Sequence, residues 1–420
     1  MSRGRVIVAG CGPAGIMAAG RAAARGFEVC ILEKMGRPAR KLGLTGKGRC
    51  NLTNTAELQD FLFRFGPQGK FLRPALSSFF NHDLQVFLQD LGVETAQERG
   101  GRVFPVAHTA PELARILVSW AKKQGAKLLT GASLQQILLQ QGRIKGVLVR
   151  QSMSNAERQL EISAQNLVLA TGGISYPATG STGEGHTLAR ELGHSITPLR
   201  PALVPLETGG ELAGRLQGLS LRNVEAKLYV QGKRQAREFG EMVFTHFGIS
   251  GPIVLSLSKP AVQALQKGQK VDLVLDLKPA VSQEKLQARL SRVLHQRGKQ
   301  RMKRVLKEFL PQKMIQPCLE QTGIHPEKQA SQMYAQEQKA LRLWLKELSL
   351  RVTSARPLEE AIVTAGGISL REVDPRCMAS RLVAGLYFAG EILDLDADTG
   401  GFNLQAALST GWLAGESVGL

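Results

Sequence analysis

Apolar positions recur with different periods along this chain, and the changes of period divide it. Arg5–Ala9 (RVIVA) is a short continuous apolar run, as expected of a strand covered on both faces. A small-residue stretch with helical spacing follows over 16–25, then a second apolar run, Val29–Leu32, closing on Glu33. Helices are expected over Asn81–Leu91, ended by Gly92, and over Pro111–Lys123, with proline in the first turn. Between them Gly100–Pro105 reads as a loop or short edge strand. Residues 126–170 alternate with period two. The segments 126–129, 134–139, 143–150 and 159–162, parted at Gln141-Gly142 and Ser154-Asn155, predict an antiparallel meander that ends in a buried strand, 166–170.

The Pro-rich stretch 198–205 leaves that domain. Residues 206–277 are again β-rich, clearest at 224–230, 241–244 and 271–275, whereas 282–350 has helical spacing. Strands return at 360–365 and 385–389, followed by a loop over 394–401 and a last helix from about Phe402 to Val418. The final strand and helix complete a fold begun at residue 5. The expected fold class is α/β: a Rossmann-like dinucleotide-binding domain in two parts, 1–198 and 356–420, around an inserted β-rich subdomain, 199–280, and an inserted helical one, 281–355.

The first turn carries the chemistry. Gly10, Gly12 and Gly15 stand in GCGPAG between strand and helix, and Glu33 ends the next strand. That is the whole unit a dinucleotide fingerprint requires. The first glycine permits the turn, the second lets backbone approach a pyrophosphate, and the third lets helix and strand pack closely. Pro13 and Ala14 open a helix whose N-terminal amides favour phosphate, and Glu33 can accept both ribose hydroxyls. The Gly- and Lys/Arg-rich loop 36–54 (GRPARKLGLTGKGRCNLTN) has few core-forming residues and many groups able to touch a phosphate or flavin. Lys34 just before it, and Arg40, Lys41, Gly46, Gly48 and Asn51 within it, are the candidate cofactor contacts. The join Ala170-Thr171-Gly172-Gly173 is a second place for close backbone approach.

Charge changes the picture more than composition does. The 420 residues hold 54 Lys+Arg against 35 Asp+Glu, a net +19 that points to nucleic acid first and anionic membrane second. A generally basic proteome is the bland alternative. Between Lys285 and Lys313 ten cations face Glu308 alone, the pattern of a phosphate-tracking surface. Within it Arg297, Lys299, Arg301, Lys303 and Arg304 are the candidate RNA contacts. Five cysteines without paired or metal-ligand spacing argue against a disulfide framework and a metal site. A strand beginning at Arg5 leaves no room for a leader, and no apolar run approaches the ~18 residues of a membrane span, so a cytoplasmic protein without a membrane partner is expected.

The return segment selects the dinucleotide. A strand, a meander, ATGG, a long insertion and a late GLYFAGE strand are the arrangement of FAD-binding proteins. Gly390 and Glu391 would then meet the ribityl or pyrophosphate region. The turn Gly400-Gly401-Phe402-Asn403-Leu404 would set a helix N-terminus against the flavin's pyrimidine edge, where a positive dipole end stabilises the charge gained on reduction.

These stretches resemble the BaiN-like family of bacterial FAD-dependent oxidoreductases, which includes ribosomal-RNA dihydrouridine synthases. The likeness runs through GxGxAG, the whole of 36–54, ATGG at 170–173 and VFTHFGISGP at 243–252. It continues through TAGGI at 364–368 and GLYFAGEILDLDADTGGFNLQAALSTG at 385–411. One departure stands: the family usually has three glycines before Arg-Cys-Asn, and here Lys47 interrupts Gly46 and Gly48. The resemblance implies bound FAD reduced by NADH or NADPH, the nicotinamide docking transiently because only one fingerprint exists. It leaves the substrate open among bile-acid-type enones, amines and rRNA uridine, and the charge favours large-subunit rRNA. On that reading a flavin hydride reduces the uracil 5,6-double bond while an acid protonates the adjacent carbon. Cys50 and His246 are the candidate acids. Their alternatives are a buried small hydrophobe and a structural hydrogen bond. Arg49 would anchor a phosphate or carbonyl, or touch FAD. A small-molecule ene-reductase or amine oxidase and a non-enzymatic RNA-binding flavoprotein are the competing readings.

Overall fold

The structure is a computed structural model that describes residues 3–153 and 156–420; the turn expected at Ser154-Asn155 lies outside them. The chain divides into two compact units, one made of residues up to Ala202 together with Leu358–Leu420, the other of Leu203–Pro357.

The first unit is built on a five-stranded parallel sheet. Its order is Leu386–Phe388, Asn166–Leu169, Arg5–Ala9, Glu28–Glu33, Lys127–Thr130. The two central strands, Arg5–Ala9 and Asn166–Leu169, are almost wholly buried, as the apolar runs require. The segment expected to start the meander, 126–129, instead pairs parallel with Glu28–Glu33 as an edge strand. Four residues of KLLT carry no periodicity that distinguishes the two partnerships. The meander itself is the three-stranded antiparallel sheet of Ala132–Gln140, Arg143–Met153 and Ala156–Ser163. Arg102–Pro105 is not an edge: it lies between Thr53–Asn54 and Thr95–Glu98.

Two helices cover the sheet's first crossover. Pro13–Ala24 and Phe402–Ser417 approach so closely that a Cβ on Gly411 would lie 2.2 Å from the Ala14 carbonyl oxygen, and one on Gly415 2.5 Å from that of Ala18. This small-residue seam explains why neither helix is amphipathic in the ordinary way: each buries most of its surface. Ala110–Lys123 packs there too, its Trp120 ring filling the space over Gly20.

The second unit is a closed six-stranded barrel with helices. The strands run Leu206–Thr208, Gly248–Ser250, Lys233–Phe244, Ser220–Val230, Val271–Asp276, Leu348–Ala355 around the ring. Leu348–Ala355 falls in the stretch expected to be helical, yet its alternation (LSLRVTSA, buried at every second position to Val352) suits the barrel. Barrel and helices share one core, from Leu206 through Leu290 and Phe309 to Val352. No helix among the described residues is long and apolar enough to cross a membrane.

Candidate active site

The three fingerprint glycines do different work. A Cβ on Gly15 would sit 1.9 Å from the Gly10 carbonyl oxygen, and one on Gly10 2.5 Å from that of Ala170. A Cβ on Gly12 would meet nothing within 4 Å. Two glycines therefore close the fold and the third faces open space. The helix Pro13–Ala24 starts there without a side-chain cap and without an acid in its first turn, so its positive end is available to an anion. Glu33 is buried at the end of its strand. Its Oε2 accepts from the Cys11 amide (3.1 Å) and its Oε1 from the Met35 amide (2.8 Å). Burial raises its pKa, while those amides and the charges of Lys34 and Arg40 oppose the rise. Lys34 is occupied by Thr182 and Glu184 (3.1 Å), and Arg40 is exposed.

Across the strand ends the late segment returns. Ala170 continues its strand by donating to the Ala9 carbonyl, with Thr171 and Gly172 beyond it. Gly390 donates to Thr410 Oγ1 (3.0 Å) and lies against Ala14, where a Cβ would come within 2.8 Å of the alanine's own. Glu391 is the centre of a knot. Oε2 accepts from Lys41 Nζ (2.6 Å), and Oε1 accepts from the Thr364 amide (2.9 Å) and Ser175 Oγ (2.8 Å). Lys41 Nζ also donates to Ser175 Oγ (2.7 Å). Beside it, His186 is buried and donates from Nε2 to the Ile392 carbonyl (3.1 Å). Burial lowers its pKa, opposed by the bond to Ile392 and the charge of Glu391.

The loop 36–54 is fastened onto the last turn. Asn54 Nδ2 donates to the carbonyls of Gly400 (3.1 Å) and Gly100 (3.0 Å). Asn51 faces the Thr53 carbonyl and the Gly401 amide, and the amide orientation that satisfies both bonds them at 3.2 and 3.1 Å. Gly401 (φ +97°) has no room for a Cβ, which would overlap the Thr53 backbone at 2.3 Å. Asn403 clasps Ala397, donating to its carbonyl (2.8 Å) and accepting from its amide (2.9 Å). Phe402 is buried against Phe61 and Leu404 is half-buried. This second helix start likewise has no side-chain cap and no acid in its first turn. Gly46 and Gly48 both take left-handed backbone on either side of Lys47.

These features fit an ADP-containing cofactor. Two uncapped helix starts, an open cradle at Gly12 and a carboxylate at the next strand end all gather at the carboxyl ends of the parallel strands, where such folds bind ligands. The residues Ser175, Thr364 and Asn54 were not singled out from sequence. Thr364 and Asn54 stand in the TAGGI and RCNLTN motifs, but the partnerships that give them their roles join positions up to 346 residues apart.

The candidate acids part company. Cys50 has no exposed surface, and burial pushes its thiol up to about 11. It fills the core from a left-handed backbone position (φ +61°). Arg49 is exposed, pairs with Glu98 (2.5 Å) and stands over the Phe104 ring at 4.5 Å. His246 belongs to the barrel unit, in the turn between Lys233–Phe244 and Gly248–Ser250, exposed, with its ring edge-on to Phe247.

In the same unit the basic stretch is partly neutralised. Arg297 pairs with Glu308, and Arg301 and Lys303 both pair with Glu327. Glu327 lies beyond the stretch in sequence, and folding carries it back. Lys285, Arg292, Lys299, Arg304 and Lys307 are exposed and form no ion pair among the described residues. On the helix Gln283–Gln296, Lys285, Arg289 and Arg292 form a row beside the one made by the buried Leu286, Leu290 and Val293.

Comparison with known proteins agrees with this architecture. The HI0933-like protein Rossmann domain matches residues 4–417. A 3-dehydro-bile acid delta(4,6)-reductase of Clostridium scindens is 32% identical over 99% of this chain and 98% of its own. A ribosomal RNA dihydrouridine synthase of Haemophilus influenzae is 30% identical over 98% of each chain. Among solved structures, a 3-ketosteroid delta1-dehydrogenase from Sterolibacterium denitrificans superposes with a TM-score of 0.56 over 98% of each chain at 13% identity, a likeness of fold. The chain belongs to the HI0933-like Rossmann family, a family of FAD-dependent oxidoreductases.

Proposed function

We propose that the protein reduces the uracil 5,6-double bond in large-subunit ribosomal RNA, using FAD recharged by NADH or NADPH. The observation that carries this reading is the set of exposed, unpaired cations Lys285, Arg292, Lys299, Arg304 and Lys307 on a chain of net charge +19. A steroid-sized substrate gains nothing from them. A polyanion gains affinity with each phosphate neutralised, and that gain offsets the few kcal/mol needed to extrude a base from its stack.

Bound FAD would supply the hydride. The chain's part is to hold it: the Gly12 cradle and the first helix start take the pyrophosphate, Glu33 the ribose, and Asn51 and Asn54 fix the turn that begins the last helix. The knot of Lys41, Glu391, Ser175 and Thr364 ties the loop 36–54 to the sheet on the other side. Of the two candidate proton donors His246 is the exposed one. His246→Ala and Cys50→Ala separate them: loss of turnover with binding retained is expected of the first and not of the second.

The test is dihydrouridine in large-subunit rRNA from a deletion strain, together with its formation on unmodified rRNA by the purified protein with NADPH. A strain with unchanged dihydrouridine refutes the reading. Its rival, reduction of a small conjugated enone, is favoured by the 32% identity to the bile-acid reductase. It predicts turnover of a 3-dehydro-4,6-diene bile acid and none of RNA. A protein with neither activity that still binds both FAD and RNA would be a non-enzymatic factor.

A further inference from the structure

We propose that the arginines around Phe104 form a phosphate clamp for the RNA strand next to the reacting base. This rests on the reading of RNA as substrate. Arg49 and Arg102 both stand against the Phe104 ring, at 4.5 and 5.8 Å from its centre, and both reach the one carboxylate of Glu98, at 2.5 and 3.9 Å. Arg99 is exposed beside them, forms no ion pair among the described residues, and offers its carbonyl to Arg102 Nε (3.1 Å). Two guanidinium groups therefore share one carboxylate, and the third has none among the described residues. Arg49 and Arg102 both lie within cation–π reach of Phe104 while their side chains stay 59% and 42% exposed, so their guanidinium groups are accessible to a phosphate they could hold bidentately.

Register places the cluster. Arg102 sits opposite Asn54 in the small sheet, and Asn54 is bonded to Gly400, at the turn that opens the last helix. Arg49 is two residues from Asn51, which bonds Gly401. The clamp thus lies beside the turn expected to carry the flavin's pyrimidine edge, on the strand paired with the residues that fasten that turn. Its loop is rigidly set by the two asparagines, so the cations need little ordering on binding. A free enone has no phosphate to place here; a polynucleotide has one on each side of the target.

The experiment uses the FAD-loaded protein and a large-subunit rRNA fragment lacking the modification. Affinity is measured against salt for wild type, Arg99→Gln/Arg102→Gln and Arg99→Gln alone, with flavin content and thermal unfolding recorded for each. The double variant is expected to keep its flavin, to bind RNA roughly 10-fold or more weakly, and to lower the slope of log affinity against log salt by about 0.7 for each phosphate it no longer engages. Wild-type affinity and slope in the double variant overturn the clamp while leaving RNA as the substrate. If the double variant loses flavin or unfolds, Arg99→Gln decides, since that side chain holds nothing together; an unchanged slope there overturns the clamp. A wild-type protein that binds the fragment no better than a chargeless crowder overturns both the clamp and the RNA reading.

Discussion

Substituting alanine at Gly12 and at Gly15 separates the glycine proposed to meet the cofactor from the one that closes the fold. At Gly15 the new methyl would lie 1.9 Å from a backbone oxygen that no rotamer change can move. The strand–helix turn must then open by about 1 Å, and overpacking of this kind costs roughly 3 kcal/mol. For a unit of this size that lowers the unfolding temperature of the apoprotein by about 6 °C or more. At Gly12 the backbone (φ −87°, ψ −175°) suits any residue and the methyl enters open space. The apoprotein of Gly12→Ala should therefore melt within about 2 °C of wild type. The same methyl occupies the place where a pyrophosphate would accept N–H bonds. Losing one charge-assisted bond costs about 1.5–3 kcal/mol, a roughly 10- to 150-fold weaker FAD affinity. Scanning fluorimetry of apoprotein and flavin-fluorescence titration give the two readouts. A folded Gly12→Ala that binds FAD as tightly as wild type would refute the assignment of the cradle.

Other expectations follow from the same geometry. Glu391→Gln removes the charge opposite Lys41 in a pair whose side chains are only about a fifth exposed, and should lower unfolding free energy by about 1–2 kcal/mol in urea titrations; no change would mean the knot is solvated. Burial lowers the pKa of His186, and burial opposed by Glu372 lowers that of His194. The unfolded chain therefore binds protons that the folded chain refuses, so stability falls as pH drops below about 6.5, by at most about 1.4 kcal/mol per pH unit from each histidine. His186→Gln should flatten that slope between pH 7 and 5. Cys50, with its thiol pushed up to about 11, should resist a thiol reagent at pH 8 until the protein unfolds; fast labelling at this position would place it at an open surface. Reversing Lys299, Arg304 and Lys307 to glutamate should abolish RNA binding with flavin content unchanged, and loss of flavin would show that the cations serve the fold.

The parts of the fold that local chemistry dictates were readable in the sequence. The Gly10–Gly15 turn, its buried strand and Glu33 need only their own spacing, and the return of Leu386–Phe388 follows from an apolar run before Gly390. What escaped was pairing at a distance. Lys127–Thr130 is too short for its period to select a partner, and Leu348–Ala355 follows directly on a helix, so that its alternation was submerged in helical neighbours. The site divides the same way. Glycines needing room or turn were visible as glycines. The partner of Lys41 was not, because Glu391 stands 350 residues away. Ten cations in sequence likewise gave no sign that Glu327 would fold back on Arg301 and Lys303.

The helix seam at Gly411 and Gly415 also sets an order of events during synthesis. Ala14 and Ala18 leave the ribosome nearly the whole chain length before the glycines they pack against. Until the last turn and helix emerge, the nascent first unit waits, its sheet lacking an outer strand and its first helix uncovered. Residues 203–357, continuous in sequence, can complete their barrel in that interval. A message truncated before the codon for Gly400 would therefore yield a chain with the fingerprint but without the helix seam that covers it.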